Sequence, residues 1–400
     1  METSKRQHAA SSGSMKGFEI QPVLDSAVPA VASFIHRWHA DRDGSSSIQR
    51  IESRLQWLLM ENPLTTDVSH HGFCIRDDSG VIRGLLLSFP GAFLAADQRL
   101  LGLCSWSYFV EPQARAMGFF LFKKYLNSFG YSFFFATTCN AASAAIWQKS
   151  GACAVPDSET EYILPLKLDV MLPALLAART SSRLAAGTAR TFGRWANPML
   201  HFFAQGSGKL TVERCRDWEK LSALFRRHRS QNLITTERSA QFLQWRYGPG
   251  SPNYPSDIYV FRDELGNEGW FSLGKMIRGR HQVQVRGCVL LDAIWPRGKM
   301  NFKDILPAIL QLVPSEADAI FFGPRSGIDY GKCSRLIIPH RLEAPTVWGI
   351  ARKGNARLQV SALDLVIADG DSAWSDSSLG ELDHFWPSRR SISAAGPARC

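Results

Sequence analysis

"VEPQARAMG", Val110 to Gly118, is the stretch on which the reading of this 400-residue chain turns. It follows "LLGLCSWSYFV", an apolar, aromatic-rich run with the character of a strand, and precedes "FFLFKKYLNSFG", which has helical spacing and a stop at Gly130. A strand that feeds straight into a helix leaves backbone N–H groups without partners at the helix start, beside the positive end of the helix dipole. Such a place suits an anion. Ala114, Ala116 and Gly118 keep the turn's side chains small enough for a diphosphate to approach the backbone, and Arg115 adds a positive charge. Glycine also marks turns that hold no ligand, so these nine residues alone leave an ordinary strand-to-helix turn open.

Working outward, the elements alternate. "FEIQPV" reads as a strand, helical segments run to about Leu59, and "HGFCIRDDSGVIRGLLLSFPGA" is a hairpin around "RDDSG". Beyond Gly130, "YSFFFATTC" is a strand, "NAASAAIWQKSG" a short helix stopped by Gly151, and "EYILPLKL" a closing strand. Strands interleaved with helices predict an α/β fold with a mixed sheet covered by helices.

Two motifs now stand in order. Val110 and Pro112 precede Gln113, Ala116 and Gly118, and 22 residues after Gly118 Asn140 opens a helix carrying Ser143, Trp147 and Gly151. The pair resembles the GNAT superfamily of N-acetyltransferases over residues 17–168. That resemblance implies a loop whose backbone holds the pyrophosphate of acetyl-CoA or another acyl-CoA, with Val110, Gln113, Ala114, Arg115, Ala116, Met117, Gly118 and Asn140 as the contacts. It also implies a pantetheine arm lying between this strand and its neighbour, and a strand N–H that polarises the thioester carbonyl. The acceptor is then a primary amine on a small polar molecule or amino sugar, and no metal is needed.

The sequence departs from the family at its acid and base. Trp147 stands where the family carries a tyrosine, and an indole N–H donates a hydrogen bond but does not serve as an acid near neutral pH. "LLGLCSWSYFV" contains no Asp or Glu to act as base. Tyr108 is the substitute proton donor, against the plainer reading of a buried strand aromatic. His70 and His71 are candidate relays, against that of loop histidines, and Glu111 reads as a solvent-facing neighbour of the loop. Positioning alone supplies a large part of such a rate.

The chain then repeats itself. "RLQWLL" matches "FLQWRY" with Trp57 opposite Trp245, "IRDDSG" matches "FRDELG" with Gly80 opposite Gly266, and "VEPQARAMG" faces "AIWPRGKMN" with Arg115 opposite Arg297. The first match is followed by Asn62-Pro63 in one copy and by Pro252 and Pro255 in the other. Three matches in one order with slowly drifting offset indicate internal duplication. The organisation read from this is a flexible leader (1–16), an acyl-CoA-binding unit (17–168), a basic Ala/Arg-rich linker (169–208), a degenerate second unit (209–352) and a partly disordered tail (353–400). The fold class is therefore two GNAT-like mixed-sheet domains flanked by helices, in tandem. The second unit has Met300 where a small residue belongs and no late Asn-x-x-Ala helix, which argues against CoA there. Trp245, Arg246 and Tyr247 are its candidate cleft-lining residues.

Composition is that of a globular protein, 45% hydrophobic and 20% charged, with no apolar run of spanning length, so a cytoplasmic protein without a transmembrane segment is expected. Eight scattered cysteines show no metal-ligand spacing. The net charge of +10 is concentrated: residues 171–232 hold eleven Lys/Arg against three acids. That belt suits an anionic substrate, a membrane surface or RNA, or simply a solvated connector. Hence two rivals to the acyl-CoA-dependent N-acyltransferase: a Fem-type aminoacyl transferase drawing on aminoacyl-tRNA, which the basic belt favours and the CoA-like loop disfavours, and a non-catalytic CoA-binding module.

Overall fold

The computed structural model describes residues 17–39, 47–65, 70–177, 183–204, 210–251, 256–280, 283–323, 328, 330–352, 359–366 and 369. The expected leader, the tail beyond Asp369, Lys209, Pro252 and Pro255 lie outside the described residues.

The first half runs β1 (Phe18–Pro22), α1 (Val28–His39), α2 (Ile48–Leu55), β2 (Gly72–Asp77), β3 (Ile82–Ala95), β4 (Gln98–Val110), α3 (Gly118–Leu126), β5 (Phe133–Ala136), α4 (Ala141–Lys149), β6 (Cys153–Ala154) and β7 (Thr160–Pro165). Two helices, α5 (Leu168–Ala177) and α6 (Arg183–Ala204), cross to the second half. That half has β8 (Thr211–Arg214), α7 (Trp218–His228), β9 (Ile234–Thr236), α8 (Ala240–Tyr247), β10 (Asp257–Arg262), β11 (Glu268–Arg280), β12 (Val283–Ile294), α9 (Phe302–Leu312), β13 (Ala319–Phe322), α10 (Tyr330–Cys333), β14 (Ile338–Arg341), β15 (Trp348–Ala351) and β16 (Leu363–Asp364). Local chemistry sets several helix starts. Ser47, Asn140, Asp217 and Ser239 each accept a hydrogen bond from the backbone N–H three residues on, the usual N-cap geometry.

The two sheets have one plan. Their strand orders are β1-β2-β3-β4-β5-β15-β6 and β8-β10-β11-β12-β13-β7-β14, with β9 joined to the far end of β3 and β16 to β9. In each the central pair is parallel, β4 with β5 and β12 with β13, and its neighbours are antiparallel. Gly80 and Gly266 turn the matching hairpins at φ +80°, the left-handed backbone that a glycine adopts without steric cost. The duplication read from sequence is a duplication of architecture.

The halves also trade strands, which corrects the expected boundary at residue 168. "EYILPLKL" does not close the first sheet: β7 lies between β13 and β14 of the second, Ile163 facing Phe321 and Ile338. Its place in the first sheet is taken by β15, with Trp348 opposite Ala136 and Ala154. Neither half completes its sheet alone. A core of α1, α2, α7, α8 and the inner faces of both sheets is shared, while α3 and α4 cover one outer face and α9 the other.

Within the expected linker span of 169–208, the described residues form α5 and α6. Asn197 on α6 accepts from Leu168 N and donates to Asp169 at the start of α5, at 2.7 and 2.8 Å. Arg190, Phe192, Arg194 and Trp195 of α6 are exposed. Part of the basic belt is paired within the protein, Lys220 with Glu213 and Arg214 with Asp257. Among the described residues no helix is long and apolar enough to cross a membrane.

Candidate functional site

The site is built on the strand before Val110. Pairing of β4 with β5 stops at Cys104–Phe135, yet β4 continues to Val110, held on its other edge by β3 as far as Gly84. From Ser105 to Val110, then, β4 runs past the end of its parallel neighbour, and among the described residues no strand pairs with that edge. An unpaired strand edge presents N–H and C=O groups that seek an extended partner.

A bulge shapes the same segment. Leu85 faces Phe109 and Leu87 faces Trp106, so Ser107 and Tyr108 together oppose Leu86. Ser107 takes φ +51°, an unfavourable backbone for a side-chain-bearing residue and one that bulges accommodate. The extra residue resets the alternation of faces: Cys104 and Trp106 belong to the shared core, whereas Tyr108 and Val110 pack toward α3.

Tyr108 is partly buried against Phe122, with ring centroids 6.2 Å apart. Burial pushes its phenol up to about 12, so it carries its proton at neutral pH. Its hydroxyl lies over Gly118, where an added Cβ would come within 2.9 Å of it. Gly118 has an ordinary helical φ of −56°, so its smallness serves this close approach rather than an unusual backbone.

The turn itself differs from the expected row of bare amides. Residues 112–117 wind into a 3-10 helix that runs directly into α3; Ala114 N donates to Glu111 O and Gly118 N to Arg115 O. Ala114 and Met117 point into the core at 0 and 1% exposure, and Gln113, Arg115 and Ala116 face outward. Val110 is half-buried at the strand end. No acidic residue occupies the first turn of α3, and no side chain caps the helix start. A turn of this make-up could hold an anion, with Arg115 as its exposed cation. Glu111 is not a free solvent-facing acid: Arg83 donates to it at 3.1 Å and to Asp77 at 2.7 Å, while the Gln113 amide donates to it as well.

Other expected residues fall elsewhere. Asn140 caps α4, bonded reciprocally with Ser143. Trp147 on α4 is 2% exposed and packs edge-on to Phe122 and Tyr125, at 5.0 and 6.1 Å. Its indole is part of the core under α3. His71 Nε2 sits 2.6 Å from Asp25, tying the start of β2 to the segment before α1. His70 packs on Phe73, its basicity lowered by burial first and then by His71 and Lys124. Trp245 stacks on Trp57, and the Arg246 guanidinium, 1% exposed, lies over both rings at 5.3 and 5.4 Å, so these residues of the expected cleft lining pack against the first half.

The corresponding turn of the second half is built differently. Lys299 N and Met300 N both donate to Pro296 O, the Trp295 indole donates to Met300 O, and Asp304 stands in the first turn of α9, accepting from Asn301 N. A carboxylate at that helix start repels an incoming phosphate. In place of a long counterpart to α4 there is the four-residue α10. Among the described residues no group of His, Cys, Asp and Glu is arranged to hold a metal ion.

No protein-family model matches the sequence, and no curated protein matches it. Solved structures match in shape. A conserved protein of unknown function from Enterococcus faecalis V583, described as a probable N-acyltransferase, aligns with a TM-score of 0.51 at 10% identity, over 84% of this chain and 72% of its own. A GCN5-related N-acetyltransferase from Anabaena variabilis ATCC 29413 aligns with a TM-score of 0.50 at 9% identity, over 83% and 72%. The chain shares the fold of these proteins.

Proposed function

We propose that the protein is an acyl-CoA-dependent N-acyltransferase whose first half carries the acyl-CoA and whose acceptor is a primary amine on a small polar molecule or amino sugar. The observation that carries this reading is the open edge of β4 from Ser105 to Val110, beginning where β5 ends and leading straight to the start of α3. An extended arm bearing amide groups completes that edge as an added strand would, and a diphosphate at its end meets Arg115 and Gln113. A β4 backbone N–H near the Ser107 bulge then polarises the thioester carbonyl.

Tyr108 is the proton donor that remains once Trp147 is assigned to the core, and its raised pKa keeps the phenol protonated. Its position beside Gly118 fits equally a hydrogen bond to the phosphate end of the arm. With no carboxylate on this edge, the amine arrives uncharged and the rate rests mainly on holding it against the thioester. The residues around the α3 turn support acyl-CoA in the first half, and Asp304 disfavours it in the second.

The test is release of free CoA thiol from acetyl-CoA and longer acyl-CoAs, with a panel of amines and amino sugars. The reading requires amine-dependent release that Gly118→Trp abolishes. Binding of CoA without turnover on any amine would favour the non-catalytic module. Salt-sensitive binding of aminoacyl-tRNA without binding of CoA would favour the aminoacyl transferase.

A further inference from the structure

Helix α6 is the outer member of the pair that joins the halves. It rests mainly on α5, which in turn lies against β12. Two residues fix its inward face. Gly193 is buried and leaves no room for a Cβ against the Asp169 backbone, and Asn197 bonds Leu168 N and the Asp169 carboxylate. At about 3.6 residues per turn, Thr188, Thr191, Phe192 and Trp195 then fall on the opposite side, with Arg190 and Arg194 along one flank.

This outward face is the reverse of what water selects. Phe192 is 58% and Trp195 72% exposed, with ring centroids 6.3 Å apart, and neither belongs to a core cluster. Among the described tryptophans Trp195 alone is exposed. Thr191 between the rings and the flank turns its hydroxyl back to Gly187 O at 3.2 Å. Arg190 and Arg194 are exposed, and Arg194 reaches the Asp169 carboxylate only at 3.9 Å. From Val170 to Val212 the sequence has no Asp or Glu and five Lys/Arg.

Paired aromatic rings with cations alongside and no acid on the helix are the make-up of a helix that lies in a membrane interface. The rings enter the boundary between headgroups and acyl chains, and the guanidinium groups reach the lipid phosphates. RNA fits this face less well. A nucleic-acid track spaces its cations to follow successive phosphates, whereas here the middle of the face is apolar and both arginines stand to one side. We propose that the outward face of α6 docks the protein on a bilayer with anionic headgroups, through Phe192, Trp195, Arg190 and Arg194.

The experiment is flotation of the full-length protein with vesicles of phosphatidylcholine, and of phosphatidylcholine mixed two to one with phosphatidylglycerol, at low and at high potassium chloride. Wild type is expected to bind the anionic vesicles at least tenfold more tightly than the neutral ones and to be released by salt. Phe192→Ser combined with Trp195→Ser is expected to weaken that binding at least tenfold with an unchanged melting temperature. Arg190→Gln and Arg194→Gln are each expected to weaken it about fivefold. The proposal is overturned if wild type floats with neither vesicle or with both alike, or if the two ring substitutions fold and float as wild type does. Without flotation, salt-sensitive binding of single-stranded RNA or a concentration-dependent dimer, either one lost with the ring substitutions, would name a different occupant. None of these measurements involves acyl transfer, so the docking face and the activity stand or fall separately.

Discussion

Trp57 and Trp245 stack with ring centroids 4.7 Å apart and planes 15° from parallel, and each indole N–H donates to the other's backbone carbonyl, at 3.1 and 3.0 Å. The two bonds are the same bond made twice, 188 residues apart, as a local two-fold axis between the halves requires. Thr346 and Ser158 are also 188 apart, and the Thr346 hydroxyl donates to Ser158 O where the exchanged strands cross. Replacing either tryptophan by alanine removes one ring of the stack and leaves the partner's backbone carbonyl without its indole donor, while the partner's own indole keeps the backbone carbonyl it donates to. Each single variant is expected to lose about 3–5 kcal/mol. The double variant should lose less than the sum, by about 0.5–1.5 kcal/mol for the stacking alone. Chemical denaturation of the four proteins checks this; strict additivity would mean the rings do not interact.

Gly118 and Tyr108 form a second testable pair. An alanine Cβ at 118 meets the Tyr108 hydroxyl, so Gly118→Ala is expected to cost about 1–3 kcal/mol of stability by overpacking. Adding Tyr108→Phe, which removes the hydroxyl, should return most of that loss. Failure of the second change to restore stability would show that the glycine serves something other than this contact.

The buried Arg238 binds two carboxylates that are themselves almost fully covered, Asp292 at 2.9 Å and Asp369 at 2.8 Å. Arg238→Leu strands both, and a loss of about 3–5 kcal/mol is expected. Asp369→Asn on that background should recover part of it by removing one of the two charges. Urea unfolding of the single and double variants measures both effects.

Tyr108 gives a pH dependence. Burial raises its phenol to about 12 in the folded protein, so the folded state holds that proton more tightly than the unfolded chain. The stability this contributes is complete below the ordinary phenol pKa of about 10 and declines as pH rises from there toward 12. Tyr108→Phe is expected to flatten that part of the stability profile and to remove one late-titrating phenolate from the ultraviolet absorbance. A titration of Tyr108 near pH 10 in the folded protein would contradict the burial seen here.

Much of the first half was legible in sequence because its signals are local. The hairpin around "RDDSG", the strand before Val110, and the helices stopped near Gly130 and Gly151 follow from apolar period and turn residues. The duplication was legible because Trp57 and Trp245 and the two hairpin glycines keep their spacing. Strand exchange was not, since the alternation in "EYILPLKL" marks a strand without marking which sheet it joins. The Ser107 bulge carries no glycine to announce it. Trp147 sits at a motif position, yet its side chain turns inward, and periodicity in a nine-residue helix does not separate a core face from a site face.

The central claim is that acyl-CoA is held at the α3 turn of the first half and not at its counterpart in the second. Arg115 and Lys299 are exposed at the two turns, so a charge reversal at either leaves the core untouched. Acetyl-CoA binding should be measured by calorimetry on wild type, Arg115→Glu and Lys299→Glu. The account predicts at least tenfold weaker binding for Arg115→Glu and unchanged binding for Lys299→Glu. Unchanged binding in Arg115→Glu together with loss in Lys299→Glu would contradict it.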